Sequence, residues 1–87
     1  MNILRYLHTV EKDIKQHFGT DNWELRNKDG EIQLIFYGYD ERMEEIVQYC
    51  KQQLETELEK TFTLHHCKIG KSSTKEDMHL YRFIEEE

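Results

Sequence analysis

The chain has 87 residues, 12 basic and 18 acidic, a formal net charge of −6 and 37% hydrophobic side chains. That is apolar material for one small core and not for two, so residues 1–87 are expected to form a single compact domain. The acid excess argues against nucleic-acid binding through phosphate neutralisation, and no apolar run approaches the roughly 18 residues that a membrane span needs. Two cysteines, Cys50 and Cys67, build no disulfide framework. With no signal-like apolar segment, they predict a reduced, cytoplasmic setting.

Ile3, Leu7, Val10, Ile14 and Phe18 recur at spacings of four, three, four and four, with charged residues between them. This is the stripe of an amphipathic helix, widened by Leu4 and Tyr6. Asn2 is placed to cap its start and Gly19 to end it. His8 and His17 fall at the edge of the stripe.

Trp23 to Lys28 and Glu31 to Tyr37 read as two strands around Asp29-Gly30, a dipeptide that favours a two-residue hairpin turn. Such a turn sets Lys28 opposite Glu31, Leu25 opposite Leu34 and Trp23 opposite Phe36. Trp23, Leu25, Ile32, Leu34 and Phe36 then share one face. Glu24, Arg26, Gln33, Ile35 and Tyr37 share the other.

Asp40 is a good N-cap for a second helix whose buried line reads Met43, Ile46 or Val47, Cys50, Leu54 and Leu58. Glu41, Glu45, Glu55 and Glu59 fall on its other side as like-charge neighbours. That acidic surface is a candidate contact for a basic surface on a larger macromolecule.

Thr61 to Ile69 and Met78 to Ile84 read as a second hairpin joined by a polar loop, residues 70–77. Glu85, Glu86 and Glu87 follow as an acidic tail of the kind that frays. Pairing Ile69 with Asp77 sets Cys67 opposite His79, His65 opposite Tyr81 and Thr63 opposite Phe83. Phe62, Leu64, Met78, Leu80 and Ile84 then face the core, and Thr63, His65, Cys67, His79, Tyr81 and Phe83 face away. The expected fold is α+β, a two-layer sandwich of order αββαββ, with a four-stranded antiparallel sheet and both helices on one face.

Two helices cover one sheet face, so Ile35, Tyr37, His65, Tyr81 and Phe83 are expected to meet on the uncovered one and to form an interface. Tyr37 and Tyr81 are its anchors, and two-fold symmetry makes a second copy of the chain the economical partner. The functional expectation is therefore a small acidic protein-interaction module, homodimeric, acting as an inhibitor or regulator by occupying a surface of a larger macromolecule. The alternative is a metal- or ligand-binding domain built on His65, Cys67 and His79, all competent zinc ligands, with catalytic ability. That cluster depends on the hairpin register, and no paired CxxC or HExxH spacing supports it.

Lys68, Lys71 and Lys75 with the neighbouring hydroxyls could touch a phosphate or an acidic side chain. Gly70-Lys71-Ser72 is similar to the end of a phosphate-binding loop, but His65 stands where the first glycine belongs and no helix follows. No cofactor is expected, and neither is catalysis. Cys50 lies on a buried helix line, Cys67 has histidines near it without a third group to orient them, and the carboxylates do not converge.

Overall fold

In the computed structural model, which describes residues 3–19, 22–71 and 75–86, the elements run α1 (Ile3–Phe18), β1 (Trp23–Lys28), β2 (Glu31–Phe36), α2 (Met43–Leu58), β3 (Phe62–Lys71) and β4 (Asp77–Glu85). The strands form one antiparallel sheet in the order β1-β2-β4-β3. A single core cluster joins Leu7, Val10 and Ile14 of α1 and Ile46, Cys50 and Leu54 of α2 to one face of that sheet. Both helices therefore cover the same side, as the sequence predicts.

Gly19 ends α1 at φ +91°, and its N–H donates to the Lys15 carbonyl at 2.9 Å. The proposed cap, Asn2, lies outside the described residues, as do the side chains of Ile3 and Leu4. Two tyrosines lock the helix layer. Tyr6 donates to the Gln53 carbonyl at 3.0 Å, and Tyr49 donates to the Asp13 carboxylate at 2.8 Å. His17 stacks on Tyr49 at 4.9 Å between ring centres, at the edge of the helix pair, while His8 is exposed.

Asp40 lies two residues before the N-cap position, Arg42. Its carboxylate accepts the Arg42 N–H at 2.8 Å and its carbonyl accepts the Met43 N–H at 2.9 Å, so it shapes the turn from which α2 starts at Met43. Arg42 reaches on to the Phe18 carbonyl at 2.6 Å, a cation at the negative end of α1. The buried line of α2 is Met43, Ile46, Val47, Cys50 and Leu54.

The first hairpin has the predicted register in full. Trp23 pairs with Phe36, Leu25 with Leu34 and Lys28 with Glu31. Asp29 at φ 53° and Gly30 at φ 85° are both left-handed, which is what a two-residue turn matched to strand twist requires.

The second hairpin departs by one residue. Cys67 pairs with Leu80 rather than His79, His65 with Arg82 rather than Tyr81, and Thr63 with Ile84 rather than Phe83. An irregularity between Lys68 and Lys71, with Gly70 at φ 128°, absorbs the offset, because Lys71 pairs with Asp77. Since side chains alternate, a slip of one residue exchanges the faces of a whole strand. In β4 it is His79, Tyr81 and Phe83 that face the helices, and Met78, Leu80, Arg82 and Ile84 that face away. The strands also run further into the loop than expected, to Lys71 and from Asp77.

Candidate functional site

The uncovered sheet face is built from the alternate residues that do not reach the helices. Its centre holds two rows across the four strands: Glu24, Ile35, Leu80 and Cys67, then Arg26, Gln33, Arg82 and His65. Ile35 is 3% exposed and Leu80 8%, because both lie on the two inner strands with long side chains around them. On the same side of the Arg82 row Met78 is partly buried and Ile69 is 40% exposed, while the partly buried Ile84 lies beyond Arg82 at the charged end. One half of this face is therefore apolar.

The other half is a charge network. Arg82 grips Glu31 with two hydrogen bonds, Nε to Oε1 at 2.6 Å and Nη2 to Oε2 at 2.8 Å. Gln33 donates to the same carboxylate at 3.1 Å and accepts from Arg26 Nε at 3.0 Å. Hydrogen bonds from Arg82 first, then from Gln33, pull the Glu31 carboxyl down from 4.5 to about 2. At the apolar end Tyr37 donates to Glu24 at 2.6 Å, and that bond raises the phenol's pKa.

The proposed interface set does not assemble on this face. Ile35, Tyr37 and His65 lie on it. Tyr81 is 8% exposed and Phe83 1%, and both belong to the core under the helices. Tyr81 meets Phe36 edge to face at 5.8 Å. The cause is the register of the second hairpin. The signal that could have fixed it is Arg82, which shares a parity with Met78, Leu80 and Ile84 and is paired by Glu31, so that series had to face water. Met78, Leu80 and Ile84, which the sequence places on the core side, lie on the uncovered face, with Leu80 at its centre.

The same slip divides the His65, Cys67 and His79 cluster. His79 lies on the helix side, whereas His65 and Cys67 lie on the other. The neighbour of His79 is instead His66, with 2.9 Å between Nε2 of His66 and Nδ1 of His79. His66 also stacks flat on Tyr81 at 4.3 Å. Burial first, then the His79 and Lys68 charges, lower the His66 pKa, with Glu44 opposing them. Among the described residues no group of three or more His, Cys, Asp or Glu side chains is placed to hold a metal ion.

The two charged sets are partly engaged in structure. Glu41, Glu45 and Glu59 are exposed. Glu55 accepts the Phe62 N–H at 2.9 Å and pairs with Lys51 at 3.1 Å, so it ties α2 to the start of β3 rather than facing a partner. Lys68 and Lys71 share the Asp77 carboxylate at 3.5 and 2.8 Å, and Lys75 is exposed. Burial pushes the Cys50 thiol up to about 12, while Cys67 is exposed, and both cysteines are free. Among the described residues no helix is long and apolar enough to cross a membrane.

Comparison of the chain with protein-family models, with curated proteins and with solved structures gave no match.

Proposed function

We propose that the chain is a small protein-interaction module that associates with a second copy of itself through the apolar half of the uncovered sheet face. The observation that carries this reading is the exposed Cys67 and Ile69 and the partly buried Met78, lying around the buried Ile35 and Leu80 on a side that neither helix covers. A two-fold contact lets one patch serve both copies, and the Arg26–Gln33–Glu31–Arg82 network beside it keeps its hydrogen bonds at the rim. The face is about 19 Å across four strands and about 20 Å along them. Such a footprint belongs to the smaller interfaces, so association is concentration-dependent.

With that face occupied, the exposed Glu41 and Glu45 of α2 stay outside and engage a basic surface of a larger macromolecule, which the module inhibits or regulates by covering it. Binding rather than catalysis is favoured by the state of the polar groups, which are engaged with one another or dispersed on helix exteriors. The free Cys50 and Cys67 fit a reducing, cytoplasmic setting. Light scattering across a concentration series tests the assembly. A dimer is expected for the native chain and a monomer for Cys67→Asp, whose exposed side chain leaves the core untouched. A native chain that stays monomeric throughout overturns it.

A further inference from the structure

β3 is an edge strand of a different kind from β1. Both lie at the borders of the sheet, but β1 has 6 residues, two of them buried, whereas β3 has 10. From Thr63 to Lys71 only Leu64 is even partly buried. Residues 62–67 contain no proline, lysine or bulge, the devices that normally stop an edge from pairing with another chain, and the lysines and irregularity of residues 68–71 confine the open rim to those six residues. The free rim of β3 offers backbone donors and acceptors, with exposed side chains on both faces, of which His66 stacks inward on Tyr81.

The strand is also basic in an acidic protein. Residues 60–75 hold four lysines and no carboxylate, which leaves 8 basic against 18 acidic residues elsewhere. At the end of the strand Lys68 and Lys71 share the Asp77 carboxylate, and with Lys75 and Glu76 they make a surface of three cations and two carboxylates, while Lys60 is paired with Glu85. His66 and Lys68 lie on the helix side of the strand, and Thr63, His65 and Cys67 on the other. A second copy of β3 would set a basic strand beside a basic strand.

From this charge pattern we infer that the rim of β3 is a docking edge for an extended acidic segment of another protein, which adds to the sheet as a fifth strand. Main-chain hydrogen bonds supply the hold, as in other cases of strand addition, and alternate side chains supply the selection. Acidic groups of the incoming strand lie beside His66 and Lys68, and small apolar groups lie beside Thr63 and Cys67. The edge shares Cys67 with the apolar half of the uncovered face, whereas its backbone rim and the His66 and Lys68 side lie outside that half.

The probe is a fluorescein-labelled octapeptide alternating glutamate and valine, titrated with the full chain by anisotropy and mapped by amide chemical shifts. Binding is expected, with shifts centred on residues 62–68 and not on Ile35 or Gln33. The Lys68→Glu/Lys71→Glu double variant, with unchanged circular dichroism, is expected to bind at least about tenfold more weakly. N-methylation of alternate peptide nitrogens on the pairing edge is expected to abolish binding. The inference is overturned by an N-methylated peptide that binds as well as the parent, by shifts confined to the uncovered face, or by no binding of the parent peptide. An oligothymidylate that binds more tightly than the peptide also overturns it, since phosphates would then be the ligand. A dimer in light scattering leaves these outcomes unchanged, so the two proposals fail separately.

Discussion

The two hairpins of this sheet have the same antiparallel geometry and different sources of register. In β1–β2 the turn fixes it, because Asp29 and Gly30 admit only one alignment of the strands. In β3–β4 the connection is long, and register is left to the side chains that β4 sends to each face. Both series in β4 are largely apolar: Met78, Leu80 and Ile84 on one, Tyr81 and Phe83 on the other. Arg82 belongs to the first series, and its charge, which must find water or a partner, finds Glu31 on the uncovered side. The mid-strand charge of Arg82 thus lies on the side opposite the aromatic rings that build the core.

The sharpest way to break that comparison is to remove a ring from β4. Phe83 is 1% exposed under the helices, so Phe83→Ala is expected to cost about 3–5 kcal/mol, measured by urea unfolding. Cys67→Ala, on the exposed side of the partner strand, is expected to stay within about 0.5 kcal/mol. Comparable small losses for both would mean that Phe83 faces solvent and that the hairpin pairs as the sequence first suggests. Tyr81→Asp is expected to unfold the chain rather than detach one copy from another.

A smaller effect separates the turns. Gly30 sits at φ 85° with open space where a Cβ would go, so the strain of a left-handed side chain is the main term. Gly30→Ala is expected to cost about 1 kcal/mol in urea unfolding. Inserting two glycines after Lys75 is expected to cost less, since closure entropy grows slowly with loop length and this loop sets no register. An insertion that costs more than Gly30→Ala would show that the long loop does fix the pairing.

How much was legible in the residues follows the same division. The helix stripes, their placement on one face and the first hairpin follow from periodicity and from Asp29-Gly30, which are local signals. The functional surface needed the second hairpin, where nothing local sets the pairing and a one-residue offset moves Tyr81, Phe83 and His79 to the helix side. Asp40 shows the same limit on a smaller scale. Its type marks a helix start, but whether its carboxylate caps the helix or shapes the preceding turn depends on Arg42, which is drawn to the end of α1. Glu55 reads as one more acid on a solvated face, and only the fold brings the Phe62 N–H to it.

The pairing of Glu31 with Arg82 gives the smallest effect. Glu31 ionises at about 2 in the folded chain against 4.5 ordinarily. A carboxyl depressed by folding stabilises the native state fully above its unfolded value, and that contribution is lost as pH falls from about 4.5 toward about 2. Its size is limited by solvent, because the Glu31 side chain is 25% exposed and that of Arg82 41%; about 1 kcal/mol is the expected ceiling. Asp40, Glu55 and Asp77 are also held below the usual carboxylate range, by Arg42, by the Phe62 N–H and by Lys71 respectively, and they contribute with the same sign. The measurement is therefore a difference: stability of Glu31→Gln against the native chain from neutral pH to pH 3. The variant is expected to lose its share of the acid limb and to show less salt sensitivity. Superimposable acid limbs would mean that the Glu31–Arg82 pair adds nothing measurable to stability, its attraction being offset by solvent and by the ordering of two long side chains.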